Sequence, residues 1–147
     1  MILYFDTSAL IKRYIREQDS SLVRQWIEEA DLVGCNLIAR AEMAAAIRRL
    51  WLMKELGAET AFVILTAFRR HWPAYIRLPV TETTAARADE LAWQFGLRGY
   101  DAVHLASAVL WQEALGERVM LATYDRPLWQ AAREAGLATL PEAAASA

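Results

Sequence analysis

The chain has 147 residues, 56% of them hydrophobic and 23% charged, with a formal charge of −2. That length suits one domain, and the apolar content excludes a disordered chain. The lone cysteine, Cys35, excludes an internal disulfide framework, so a packed core must carry the fold, as suits a reducing compartment.

The first apolar run, Ile2 to Phe5, reads as a buried strand that turns at Asp6-Thr7-Ser8 into a helix. It is well short of the roughly 7–15 apolar residues of a signal-peptide core. No stretch approaches the ~20 apolar residues of a membrane span. The expectation is a cytoplasmic protein that avoids membranes. Ser20 and Ser21 are N-cap candidates for a helix through Glu29 that turns Leu22, Trp26 and Ile27 inward. Asp31 to Cys35 reads as a second strand, with Cys35 in the core. Asn36 is placed to cap a long helix from Leu37 to about Leu56, closed by Gly57.

A further helix spans Ala58 to His71 and stops at Pro73, and Tyr75 to Leu78 reads as a third strand. Ala85, Ala88, Leu91, Ala92 and Phe95 recur at helical spacing. Gly96 and Gly99 bracket a turn before a mostly apolar helix, Tyr100 to Leu115, which should be buried on most sides. Val119 to Ala122 is a fourth strand, Arg126 to Ala135 a helix, and Leu137 to Leu140 a candidate fifth strand. Short apolar strands alternating with helices imply an α/β domain whose parallel sheet of four to five strands is covered on both faces. The domain should occupy residues 1–141, with an alanine-rich, frayed tail at 142–147.

In open parallel sheets, ligands gather beyond the carboxyl ends of the strands. Asp6 and Asp125 follow the first and fourth strands, and Asp101 begins the apolar helix. Glu42 lies within a helix among Ala41, Met43, Ala44, Ala45 and Ala46. A carboxylate in such company needs a partner, and no cation stands at i+3 or i+4. A distant arginine or a metal remains. Four converging carboxylates would repel, by roughly 4 kcal/mol for a pair about 4 Å apart at an effective dielectric near 20. A divalent cation relieves this at neutral pH, and an all-oxygen donor set favours Mg²⁺, with Mn²⁺ as substitute, over zinc. Such a site suits phosphodiester hydrolysis. Asp125 also opens a helix, where aspartate serves as a plain N-cap.

Net charge does not decide against a nucleic-acid substrate. Two bound divalent ions would reverse its sign, and all basic residues except Lys12 and Lys54 are arginine, the better phosphate fork. Lys12, Arg13 and Arg16 would share one helical face after Asp6, either solvated or gripping substrate phosphates at the pocket rim; Lys12 and Arg13 are the substrate-binding candidates. Arg98 and Arg126 also lie close in sequence to site acids. His104, on the apolar helix, reads as a core histidine. The six tryptophans fall one per helix or helix end and read as core or interface anchors rather than as one base-stacking platform. Trp51, Leu52 and Met53 form a candidate exposed patch for dimerisation or partner binding.

Four segments occur in order: Asp6-Thr7-Ser8-Ala9-Leu10, Arg40-Ala41-Glu42, Tyr100-Asp101-Ala102-Val103-His104-Leu105-Ala106-Ser107-Ala108, and Thr123-Tyr124-Asp125-Arg126-Pro127-Leu128. This series resembles the motifs of the PIN domain, especially of VapC-type toxins from bacterial toxin–antitoxin pairs, over residues 2 to about 140. The resemblance implies a three-layer α/β/α fold and a metal-dependent endoribonuclease. It implies that Asp6, Glu42, Asp101 and Asp125 bind metal or organise the attacking water, with Ser8 and Thr123 hydrogen-bonding the cluster. It also implies an RNA substrate, a cognate antitoxin and a homodimer. Two other readings compete. A non-catalytic binding module could use the same fold. A haloacid-dehalogenase-like phosphatase also begins with a strand ending in Asp, but it wants a second Asp where this chain has Ser8.

Overall fold

The computed structural model describes residues 1–144. Of the expected frayed tail, residues 145–147 lie outside the described residues.

Five parallel strands form one sheet in the order β3-β2-β1-β4-β5, with β1 Ile2–Phe5, β2 Leu32–Asn36, β3 Ile76–Leu78, β4 Val119–Ala122 and β5 Ala138–Leu140. The helices are α1 Thr7–Leu10, α2 Ser20–Glu29, α3 Ala39–Leu52, α4 Ala58–His71, α5 Glu82–Phe95, α6 Gly99–Leu115 and α7 Arg126–Glu134. Alternation along the central strand sorts them into layers. Leu3 and Phe5 pack with buried residues of α1 to α4, including Leu10, Val23, Met43 and Phe68. Ile2 and Tyr4 pack with α5 to α7 through Leu91, Leu105 and Leu128. The result is the expected α/β/α sandwich, with five strands.

Chain order runs outward from β1 to β3 on one side, then resumes at β4 on the other side. Between β1 and β4 the direction of winding reverses, so the loops after the two strands part and leave a crevice. Asp6 and Thr123 are the first residues beyond those strands.

α6 shows the burial expected of it. Ala102, His104, Leu105, Ala106, Ser107, Ala108, Val109 and Trp111 are all buried. The Trp111 ring packs so close to β2 that a Cβ added at Gly34 would come within 2.7 Å of it. Glycine is what admits this helix to the sheet.

Several local expectations are corrected. The helix after β1 lasts one turn and tightens into a 3-10 turn at Ile11–Arg13, so no helical face carries Lys12, Arg13 and Arg16 together. α2 is preceded by Asp19 in a left-handed conformation. The Ser20 hydroxyl instead donates to the Ile15 carbonyl at 2.7 Å. Val23 and Trp26 are buried there, whereas Leu22 is exposed. α3 begins two residues later than expected and ends at Leu52, because Lys54 turns left-handed and the Glu55 and Leu56 amides fold back onto the Leu50 carbonyl. In α5, Thr84 faces the core and Ala85 faces out. Cys35 is buried as expected, and burial pushes its thiol up to about 12, which leaves it inert at neutral pH. Among the described residues no helix is long and apolar enough to cross a membrane.

Candidate active site

Asp6, Glu42, Asp101 and Asp125 all line one cavity of about 300 Å³ in this crevice, together with Ser8, Arg49, Arg98 and His104. Four distant segments therefore meet, from the end of β1, the first turn of α3, the first turn of α6 and the loop after β4.

Asp6 is the deepest acid, 3% exposed. It N-caps α1 through Oδ1, which accepts from the Ala9 amide at 3.0 Å. Ser8 Oγ donates to both carboxylate oxygens, at 2.7 and 2.9 Å, and Thr123 Oγ1 donates to Oδ2 at 2.6 Å. Burial pushes the Asp6 carboxyl above its ordinary range. The proximity of His104 and the hydrogen bonds from Thr123, Ser8 and the Ala9 amide oppose that shift without cancelling it. The two hydroxyls also organise the loop after β4: Ser8 Oγ accepts from the Tyr124 amide and Thr123 Oγ1 from the Asp125 amide, at 2.9 and 3.0 Å.

Glu42 is half-buried. Its Oε1 accepts from Thr7 Oγ1 at 3.0 Å and from His104 Nε2 at 2.7 Å. Burial pushes this carboxyl up, but the hydrogen bond and charge of His104 and the Thr7 hydroxyl outweigh it, so it lies below its ordinary range. His104 is 2% exposed, and its Nδ1 sits 2.7 Å from the Tyr4 hydroxyl. A carboxylate only accepts, so Nε2 carries the hydrogen toward Glu42; in the neutral ring Nδ1 then accepts from Tyr4. Burial raises the Tyr4 phenol well above its usual value, which keeps that donor protonated.

The outer acids are held differently. Arg98 spans them, with Nε 2.9 Å from Asp101 Oδ2 and Nη2 3.1 Å from Asp125 Oδ2. The Asp125 Oδ1 accepts from the Leu128 amide at 3.0 Å, so this residue caps α7 and faces the cavity at once.

Lys12 and Arg13 are not brought to this cavity. Lys12 Nζ bonds Glu17 Oε1 at 2.9 Å and the Gln18 carbonyl at 3.0 Å, and lies over the Tyr124 ring. Arg13 donates to the Tyr75 hydroxyl. The cations that line the cavity are Arg49 and Arg98. Thr7 and His104, which bond Glu42, and Arg49, which lines the cavity, are what sequence reasoning missed. A threonine in a turn and a histidine on an apolar helix carry no local sign of a carboxylate brought from α3. Arg98 carried only its nearness to Asp101.

The donor set tests what the site could hold. Four carboxylates with flanking hydroxyls suit a hard divalent cation such as Mg²⁺. As the side chains lie, however, no three His, Cys, Asp or Glu among the described residues form a ready metal-holding group. The guanidinium of Arg98 stands between two of the acids, and the cation role is partly filled from within. Because the Arg98 side chain is 79% exposed, it can swing away without disturbing the core.

The PIN domain family matches residues 3–134. This chain belongs to the PIN domain family. Its likeness is to the VapC type: it is 31% identical to Ribonuclease VapC45 of Mycobacterium tuberculosis over 95% of each chain. It is also 31% identical to Ribonuclease VapC46 of the same organism, over 94% of this chain and 95% of that one. Among solved structures, the PIN fold here resembles FitAcB from Neisseria gonorrhoeae at a TM-score of 0.70 and 20% identity, covering 96% of this chain and 98% of the other. A toxin–antitoxin complex from Klebsiella pneumoniae matches at a TM-score of 0.62 and 19% identity, covering 85% and 87%.

Proposed function

We propose that this PIN domain is a magnesium-dependent endoribonuclease, the toxin of a cytoplasmic toxin–antitoxin pair. The observation that carries the proposal is the meeting of Asp6, Glu42, Asp101 and Asp125 in one cavity at the winding reversal of the sheet. Relatives named as ribonucleases support RNA as the substrate.

In this reading Asp6, Glu42, Asp101 and Asp125 hold the metal, and a bound divalent ion supplies an activated water and charge stabilisation for the departing oxygen. The protein's own part is positioning. Ser8 and Thr123 fix both oxygens of Asp6, while Thr7 and His104 fix Oε1 of Glu42 and leave Oε2 clear of those bonds. Arg98 and Arg49 then sit where a phosphate enters, and a guanidinium freed from Asp101 and Asp125 can grip it.

Solved relatives in toxin–antitoxin complexes support a cognate antitoxin as partner, and we extend this to a homodimer. Leu52 and Met53 at the end of α3, with Phe62 and Val63 on α4, are exposed and offer apolar surface for such contacts. Co-purification with the product of the adjacent gene tests the antitoxin, and light scattering tests the dimer.

The competing reading, a non-catalytic module, draws on Arg98 already neutralising two of the acids. Incubation with RNA decides between them. The nuclease cuts internally with Mg²⁺ and stops with EDTA or in Asp6→Asn; intact RNA in Mg²⁺ and Mn²⁺ would overturn the proposal.

A further inference from the structure

We propose that Tyr100 is the nucleobase-stacking residue of this site, which rests on the nuclease reading above. The acid cavity does not end at its carboxylates. A second cavity of about 690 Å³ adjoins it and shares Glu42, Arg49, Arg98 and Asp101, so the two form one groove. Its volume falls within the ~300–1,000 Å³ of small-molecule sites. The outer part adds Tyr100 and Val103 to the lining. A nucleotide needs a cation for its phosphate and a flat apolar face for its base. The groove presents both beside the reacting centre.

Tyr100 is 67% exposed, so it does not serve the core. It stands in the first turn of α6, next to Asp101, and that helix is anchored by its buried face. The ring is therefore an exposed aromatic on a rigid base, with few torsions to immobilise on binding. The tryptophans are spent elsewhere. Trp26, Trp72 and Trp111 are buried, the Arg48 guanidinium covers Trp51 at 3.7 Å, and Trp129 Nε1 donates to the Pro141 carbonyl at 2.8 Å. Trp93 is 92% exposed but lies on α5, outside the groove lining. Among the described residues, Tyr100 is the one exposed aromatic side chain in either part of the groove.

The test is steady-state cleavage of a pool of short RNAs of randomised sequence with Mg²⁺. Tyr100→Ala should raise KM about tenfold, the lower-middle of the range for losing one base stack, and leave kcat within about twofold. Tyr100→Phe should restore the parent KM, because stacking needs the ring and not the hydroxyl, whereas Tyr100→Leu should behave as alanine. Unchanged Mn²⁺ binding and circular dichroism in all three variants mark them as folded. A parent that cuts the pool while Tyr100→Ala keeps its KM overturns the Tyr100 role alone, as does a phenylalanine variant as weak as alanine. A parent that leaves the pool intact in both Mg²⁺ and Mn²⁺ overturns the nuclease reading and this inference with it.

Discussion

The inner end of the acidic cavity, around Asp6, and its outer end, around Asp101 and Asp125, restrain the same kind of side chain by opposite means. Asp6 is buried and held by neutral donors, two hydroxyls and an amide, from the start of α1 and from the first residue after β4. Asp101 and Asp125 share one exposed guanidinium on a long side chain, and only Asp125 adds a backbone amide, that of Leu128. Neutral donors fix geometry without cancelling charge, so Asp6 remains a costly anion. A guanidinium cancels charge but is screened by salt and easily displaced. The inner end thus keeps its negative charge fixed and uncompensated, whereas the outer end carries an internal counter-charge that can leave.

This contrast can be broken at either end. The largest effect should come from Asp6→Asn, which keeps the shape and removes the charge; cleavage of RNA should fall roughly a thousandfold, since several kcal/mol of charge stabilisation depend on that ligand set. Next is Thr123→Val, which removes a donor to Asp6 while leaving all four carboxylates in place. A loss of about 10- to 100-fold in Mn²⁺ affinity or rate is expected, as for partners of metal ligands generally. A loss no larger than that of a surface variant would mean that the inner end is not preorganised.

A stability measurement gives a smaller effect of the opposite sign. The folded Asp6 carboxyl lies above its unfolded value, so its ionisation opposes folding, fully at pH above the folded value and not at all below the unfolded one. Glu42 lies below its ordinary range, so it contributes stability that is present above the unfolded value and lost as pH falls through the folded one. Metal-free Asp6→Asn should accordingly be more stable at neutral pH, and the gain should shrink in acid. Urea denaturation of both proteins across that range measures it. The smallest effect belongs to Arg98→Ala. Removing the internal cation should tighten Mn²⁺ binding about threefold at low salt, and less at high salt.

Much of this arrangement could be read from residue order. Asp6 and Asp125 are marked by the apolar strands that end before them, and Glu42 by the small apolar residues around it. Ser8 and Thr123 were named from the family resemblance, and both donate to Asp6. What could not be read depended on exact backbone paths. Lys12 and Arg13 fit a rim position only if the helix after Asp6 continues; it tightens after one turn and turns them toward Glu17 and Tyr75. His104 looks like core because it is core. Its second role appears only when α3 brings Glu42 to its Nε2. Arg98 likewise reaches Asp125 across 27 residues of chain, beyond any local pattern.

Calorimetric titration of the metal-free protein with Mn²⁺ at low salt tests the shared cavity most directly. Saturable binding in the parent is expected, abolished by Asp6→Asn and weakened by Asp101→Asn. A parent that takes up no Mn²⁺, or an Asp6→Asn variant that binds it as the parent does, would contradict a divalent-ion site at these four acids.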